Sequence, residues 1–424
     1  MDTAVLIKNA QEKSKYFHTC DRTTTKAITI IIKTCMHQAV EWSEFKGNAP
    51  PGIIKPCQNE MNLLIFVLLQ AVSAAATTTQ RAYVATSVDE NGYVTNSTFQ
   101  QHSIPTVGVL RTMYTGLPIQ ACELLIKIAA SSINPSDIHP KVAPQLLPHV
   151  MGSDVAGKVM QVEQDTGKKC RFSVGDLVYG DIGANAFTSN NIKTKELGAY
   201  AEYAVVLDTQ VALIPSNVNF LEAASLPKVS LTSIKALAWY GGARNRTFIN
   251  STVLILGGSG GTGTTGIQLA KYFGASNIVT TTSFTNSKYC QSLGATKIID
   301  YHTTNWWDVL SESTFDLVYD TVGQLNTGNR AMKVLKKGGY YVTITGQLAT
   351  EVKPGVVQSM FINSDTNLNS AKLMDELAAI TKMNKLRMTR LSKPYTLENI
   401  QNGFRSSEGG HTVGKIVVTT DKQD

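Results

Sequence analysis

Residues 252–283 read TVLILGGSGGTGTTGIQLAKYFGASNIVTTTS, and this stretch decides the fold. The apolar run from Val253 to Leu256 ends in glycine, the pattern of a buried parallel strand followed by a tight turn. Ile267, Ala270 and Phe273 then recur at helical spacing, and a second β-rich run ends at Ser283. Gly258, Gly260 and Gly263 fit G-x-G-x-x-G with a strand before and a helix after. The first glycine is expected to turn the chain, the second to admit a pyrophosphate, and the third to let helix and strand pack closely. The backbone from Gly258 through Ser259, Gly260, Gly261 and Thr262 to Gly263 is therefore the expected phosphate cradle at a helix N-terminus.

The end of the second strand discriminates between dinucleotides. An Asp or Glu there would accept from the 2′-hydroxyl of NAD. Here Thr281-Thr282-Ser283 is followed by Phe284-Thr285-Asn286-Ser287-Lys288, and no acid occurs between Gly258 and Asp300. A 2′-phosphate would meet no like charge, and Ser283 with Lys288 would hold it. The expected cofactor is NADPH. Lys288 reads equally well as a solvated helix residue.

At 424 residues with 43% hydrophobic and 17% charged residues, the chain is of ordinary globular composition and long enough for two domains. The net charge of +7 is spread out, with no basic run interleaved with aromatics, which argues against nucleic acid as a partner. Six scattered cysteines form no C-x-x-C motif and no dense framework, so they define no redox compartment.

The expected organisation is an N-terminal extension over 1–78, a β-rich domain over 79–215, a dinucleotide-binding domain over 216–350, and a C-terminal segment over 351–424. Within the extension, Leu63–Leu69 and the small residues to Ala76 form a signal-peptide-like segment over 61–76. It is too short for a membrane-spanning helix, which takes about 20 apolar residues. Translation from Met61 would send the protein into the secretory pathway; otherwise a cytoplasmic or organellar location is expected. A buried helix in an appendage is the plainer reading. Sequons at Asn96, Asn245 and Asn250 are compatible with secretion and near chance frequency.

From Arg81 onward, short β-like runs alternate with turn residues, among them Glu123–Ile128, Val155–Val162, Asp176–Gly180 and Tyr200–Val206. In order come Asn134-Pro135-Ser136-Asp137, Met151-Gly152-Ser153-Asp154-Val155-Ala156-Gly157, Val174-Gly175-Asp176, Gly198-Ala199-Tyr200-Ala201-Glu202-Tyr203 and Glu222-Ala223-Ala224-Ser225-Leu226-Pro227. Leu293-Gly294-Ala295, Asp316–Gly323 and Gly414-Lys415-Ile416-Val417-Val418 follow the dinucleotide unit. This series, from about Arg81 to Val418, resembles the medium-chain dehydrogenase/reductase superfamily, in its zinc-independent quinone oxidoreductase-like form with an enoyl-reductase-type domain. The resemblance implies an α/β fold: a GroES-like β-rich catalytic domain, completed by the C-terminal return, plus a Rossmann domain with a doubly wound parallel sheet. Strand-helix alternation from Val253 to Ile344 agrees independently.

Zinc-dependent relatives carry Cys before the Ser/Thr-Asp pair and His-Glu in G-H-E-x-x-G. Here Asn134 and Gly152-Ser153-Asp154 stand instead, and no cysteine lies between Cys170 and Cys290, so no metal is expected. His139 and His149 alone make a poor zinc site. Without a metal to acidify an alcohol, reduction of an electrophilic acceptor is the favoured direction. The expected activity is NADPH-dependent hydride transfer to a quinone or an α,β-unsaturated carbonyl. The alternatives are an enoyl-thioester reductase and a non-catalytic cofactor-binding protein of the same fold.

The candidate catalytic residues are Asn134, Asp137 and His139. The resemblance implies that Asn134 faces the nicotinamide; bracing a loop is its plainer role, and Asp137 reads mainly as a turn brace. Some enoyl and quinone reductases of this family carry Tyr or Arg shortly after this motif. This chain lacks both, leaving His139 and Lys141 as weak substitutes. By resemblance Thr232 lies near the phosphate and nicotinamide, Tyr301 beside the adenosine, and Gly323 and Gly346 where bare backbone admits the nicotinamide ribose. Phe361 is a candidate pocket wall, and Trp306-Trp307 read as packing. Relatives commonly form dimers or tetramers through the Rossmann sheet edge, so a homodimer is expected.

Overall fold

The computed structural model describes residues 79–163, 167, 169–195, 198–243 and 248–420. The signal-like segment 61–76 and the sequon asparagine at 245 lie outside the described residues. Residues from Thr78 onward form one compact unit.

Val253, Ile255, Leu317 and Tyr319 point to one apolar cluster, and Leu254, Leu256, Val318 and Tyr341 to another. Strands buried on both faces are what a doubly wound sheet requires. Six strands form it: β1 Thr252–Leu256, β2 Asn277–Thr282, β3 Lys297–Asp300, β4 Phe315–Asp320, β5 Leu335–Thr343 and β6 Val357–Met360. All are parallel, in the order β3-β2-β1-β4-β5-β6. Order reverses beside β1, which places a ligand crevice beyond its carboxyl end. The sheet runs past residue 350, where the sequence reading closed the domain. The polar sequence of β6 (VQSM) pairs along one edge only and leaves no buried-strand signature.

The β-rich part is organised on the strand Glu123–Ile133, whose Leu124, Ile126 and Ile128 are buried. It pairs antiparallel with Asp154–Val162, Tyr203–Leu207 and the C-terminal strand Ile416–Thr419. Residues almost 300 positions apart in sequence thus complete one sheet. Cys122 and Cys170 form a disulfide across a separation of 48 residues. The scattered spacing gave no sign of this pairing, because the partners meet only when the two flanking strands pair.

Two helices bring the halves together. α1, Pro227–Lys235, is buried along its whole length, and α2, Gly261–Tyr272, follows the glycine turn. Ser233 Oγ donates to the Thr262 carbonyl at 2.9 Å, and Thr265 Oγ1 to the Val229 carbonyl at 2.9 Å, so α1 lies along the first turns of α2.

Candidate active site

The glycine turn is built by close approach. Gly257, not Gly258, takes the left-handed conformation, with φ +79°. A methyl at Gly258 would stand 2.1 Å from Thr280 Oγ1, and one at Gly263 would stand 2.1 Å from the Gly257 carbonyl oxygen. Close packing therefore demands both residues, and the turn itself demands the one before them. At Gly260 a methyl would meet only the Gly257 oxygen, at 3.5 Å, so its outer side is bare backbone. Thr282 Oγ1 donates to Ser259 Oγ at 2.9 Å, and Gly414 N–H donates to the Ser259 carbonyl at 2.8 Å. The C-terminal return thus clamps the turn, with Lys415 Cδ 2.9 Å from where a Gly261 methyl would be. Exposed backbone at Gly260 ahead of a twelve-residue helix fits a dinucleotide pyrophosphate.

At the adenosine end, β2 finishes with Thr281 and Thr282 buried and Ser283 half-buried. Ser283 Oγ accepts from Asn286 Nδ2 at 3.0 Å, and Lys288 is exposed on the next helix. Asp300 pairs in register with Thr282, but its carboxylate is turned into its own loop, accepting from His302 N–H at 3.0 Å. Tyr301 is 48% exposed, with its ring tilted against that of His302. The Arg390 guanidinium, 5.5 Å from the Tyr289 ring, adds a cation that the sequence reading missed. It lies far along the chain and arrives with the segment that clamps the turn. At the other end, Asp320 accepts from the N–H groups of Val322 and Gly323 at 3.0 Å each. A methyl on Gly346 would stand 2.7 Å from Asp320 Oδ2, so both glycines are needed where β4 and β5 end.

Between the halves lies a buried charge cluster. Asp137 accepts from Ser153 Oγ at 2.7 Å and pairs with Lys195 at 3.4 Å. Asp154 accepts from Ser132 Oγ and Asn134 Nδ2, both at 2.7 Å, and from the Lys228 backbone N–H at 2.8 Å. Lys415 donates to Asn134 Oδ1 at 2.7 Å. Asp181 pairs with Lys228 at 3.0 Å and accepts from Asn363 and Asn367, which follow β6. Lys235 donates to Asn367 Oδ1 at 2.5 Å. Burial raises the pKa of Asp154 and lowers those of Lys195 and Lys415. Burial also opposes charge on Lys228 and Asp137, but opposite charges outweigh it: Asp181, Asp137 and Asp154 raise the lysine, while Lys195 and Lys228 lower the aspartate. Lys235 is brought down to about 8, chiefly by burial.

Asn134 is 3% exposed and spends its amide on Asp137, Asp154 and Lys415, so it braces the cluster. Asp137 caps the turn at Asn134, accepting its backbone N–H at 3.2 Å. His139 is not brought to this cluster. Its side chain is 67% exposed in an outer groove with Val94, Phe404 and Glu408, with Nδ1 3.1 Å from the Val94 carbonyl oxygen. Asp137 is fully buried, and two residues later the chain has reached the surface. The Lys141 ammonium lies over the Tyr93 ring, while its carbonyl accepts from the Lys195 backbone N–H at 2.6 Å. Thr232 donates back to the Lys228 carbonyl at 2.7 Å. Phe361 stacks on Tyr240 at 4.8 Å, and Trp306 is buried in the core with Trp307 against Arg330. The sequence reading missed Lys228, Lys235 and Asp181. For the two lysines the signal was only a cationic residue near each end of one helix.

Residues 120–216 match the family described as alcohol dehydrogenase GroES-like domain, and residues 293–418 the family described as zinc-binding dehydrogenase. The chain is 35% identical over 308 residues to 2-methylene-furan-3-one reductase of Solanum lycopersicum, covering 71% of this chain and 72% of that protein. It is 31% identical to the chloroplastic NADPH-dependent alkenal/one oxidoreductase of Arabidopsis thaliana, with the same coverage. Among solved structures, the quinone oxidoreductase of Coxiella burnetii superposes with a TM-score of 0.62 at 24% identity, covering 81% of this chain and all of that one. Glycine turn, interleaved sheets and sequence likeness converge: the chain is an oxidoreductase that belongs to the medium-chain dehydrogenase/reductase superfamily, on its quinone oxidoreductase-like side.

Proposed function

We propose that this enzyme is an NADPH-dependent reductase that delivers hydride to a quinone or an α,β-unsaturated carbonyl without zinc. The observation that carries the reading is the donor set between the halves. Asn134 and Ser153 stand where zinc-dependent relatives have Cys and His, 3.5 Å apart, among lysine ammoniums paired to the local carboxylates. Neutral amide, hydroxyl and fixed cations repel or ignore a divalent metal. Bound NADPH supplies the hydride; the protein orients the acceptor and stabilises the charge it gains. The names of the relatives, a furanone reductase and an alkenal/one oxidoreductase, support the same class. The bare turn at Gly260 and the acid-free end of β2, with Ser283 and Lys288, favour NADPH.

The test is loss of NADPH absorbance with the purified full-length chain, offering a quinone, an enone and an enoyl thioester, then repeating with NADH. Turnover of quinone or enone with NADPH preferred is expected. Preference for the thioester would make the chain an enoyl-thioester reductase, and cofactor binding without any turnover would remove the catalytic reading.

Entry into the secretory pathway from Met61 is part of this proposal. The Cys122–Cys170 disulfide and the exposed sequon residues Asn96 and Asn250 support it, since structural disulfides persist in oxidising compartments. N-terminal sequencing of the native protein decides: a start within residues 1–60 removes it. A homodimer through the sheet edge is also proposed, because edge strand β6 leaves Val357 49% and Met360 58% exposed. No helix among the described residues is long and apolar enough to cross a membrane.

A further inference from the structure

The cluster between the halves holds Lys195, Lys228, Lys235 and Lys415 against Asp137, Asp154 and Asp181, all buried. Asp365 also attracts Lys235, so the four ammoniums differ in how fully their N–H groups are used rather than in a net imbalance of charge. Three of the lysines are engaged. Lys195 donates to the Ser136 carbonyl at 3.1 Å, to Ser136 Oγ at 3.2 Å and to Asp137 at 3.4 Å. Lys415 donates to the Ile133 carbonyl at 2.9 Å and to Asn134, and stands 3.7 Å from Asp154. Lys235 holds Asn367 and the Asn363 carbonyl and lies 5.5 Å from the centre of the Trp239 ring. Lys228 is different: among the described residues its ammonium makes one hydrogen bond, to Asp181, which uses one of its three N–H groups.

Gly183 carries no side chain beside Lys228: a methyl there would lie 2.9 Å from Lys228 Nζ and 2.6 Å from Ser153 Cβ, so the ammonium packs closely against bare backbone. The next residue, Val229, touches the start of α2, where a Gly261 methyl would meet its Cγ1 at 3.1 Å. On the other side, Asn363 and Asn367 come from the segment just beyond the carboxyl end of β6. The ammonium therefore lies where the carboxyl edge of the parallel sheet, the phosphate-binding helix and the β-rich sheet converge, the crevice in which doubly wound folds bind ligands.

We infer that Lys228 is a catalytic residue: its ammonium donates a hydrogen bond to the carbonyl oxygen of the acceptor and holds the negative charge that reduction places there. The inference rests on the reductase reading above. The acceptor gains hydride at its β-carbon, its alkene pair moves to the Cα–C bond, and the carbonyl pair moves onto oxygen. Lys228 keeps its three protons, and the α-carbon takes its proton from water in a later step, giving the saturated ketone. For a quinone, the same ammonium meets the anion of the hydroquinone. The ammonium meets full negative charge on that oxygen only in the transition state and enolate, which is the condition for lowering the barrier rather than merely binding substrate.

Two measurements test this. In Lys228→Met, kcat with an enone is expected to fall about 100- to 1,000-fold, while the NADPH Kd, read by nucleotide fluorescence, stays within about twofold of wild type. Turnover within threefold of wild type would overturn the inference. The second measurement uses wild-type enzyme saturated with NADP+ and needs no variant. 4-Nitrophenol is an enolate mimic whose ionised form is coloured, and the bound phenol is expected to ionise at least about one pH unit below the free phenol. A bound phenol that ionises at or above the solution value, or no phenolate bound at millimolar concentration, counts against Lys228. Wild-type enzyme that reduces neither enone nor quinone would instead remove the reductase reading, whatever the phenol titration shows.

Discussion

Gly260 and Gly263 look alike in sequence and do different work. A methyl at Gly263 would stand 2.1 Å from a backbone oxygen, so Gly263→Ala is expected to push α2 off β1 and cost about 1–3 kcal/mol of stability. Gly260→Ala meets nothing closer than 3.5 Å and keeps a compatible φ of −71°. Its melting temperature without cofactor should be that of wild type, while NADPH binding, followed by fluorescence, is lost. Lys235 makes a second prediction at this scale. Its pKa falls from 10.5 to about 8, so between those values the unfolded chain binds the proton that the native state has released. Stability from this group therefore rises as pH climbs from about 8 toward 10.5, and the burial penalty is present in full below 8. The groups that set this balance are Asp181, Lys228 and Asp365. Lys235→Met should gain about 1–3 kcal/mol over wild type at pH 7, with the gain vanishing near pH 10.5 in urea titrations at both values.

Among elements, the disulfide and the C-terminal return decide how the β-rich sheet is held. Cys122 opens the long central strand and Cys170 follows its neighbour, so the bond closes a 48-residue loop. Replacing both cysteines by serine is expected to cost about 2–4 kcal/mol, seen as a lower denaturation midpoint. An unchanged midpoint for the double variant would show that the two strands hold each other without it. The return strand Ile416–Thr419 is legible in the sequence as a β run, and its partner is not. Likewise Lys228 and Lys235 read as interruptions of an apolar helix, because periodicity reports only which face is buried. It says nothing of the carboxylates that another sheet will bring to meet them. His139 failed as a candidate for the complementary reason: nearness in sequence to Asn134 and Asp137 does not survive the turn that Asp137 caps.

For the whole molecule, the exposed edge of β6 sets the expectation for assembly. If the wild type is the proposed homodimer, Met360→Glu combined with Val357→Lys is expected to give a monomer by light scattering, since charges on an unpaired edge block strand pairing across it. A variant with unchanged mass would place the dimer contact elsewhere. The two halves share the glycine turn, because Gly414 of the return bonds Ser259 of the dinucleotide unit, and Arg387 pairs with Glu222 at 2.5 Å. Cofactor binding should therefore stabilise both halves together.

What the sequence alone determined is local. The glycine spacing, the double-sided apolar strands and the acid-free end of β2 follow from backbone sterics and short-range periodicity, and each was readable within some thirty residues. The chemistry between the halves is of another kind. Asn134, Ser153, Asp154, Asp181, Lys228 and Lys415 come from five separate stretches, and the shifted protonation of Asp154, Lys228 and Lys415 arises only where burial removes water and opposite charges stand close. Desolvation and charge pairing are properties of assembled space, so only the tertiary structure decided which carboxylate each of these lysines meets.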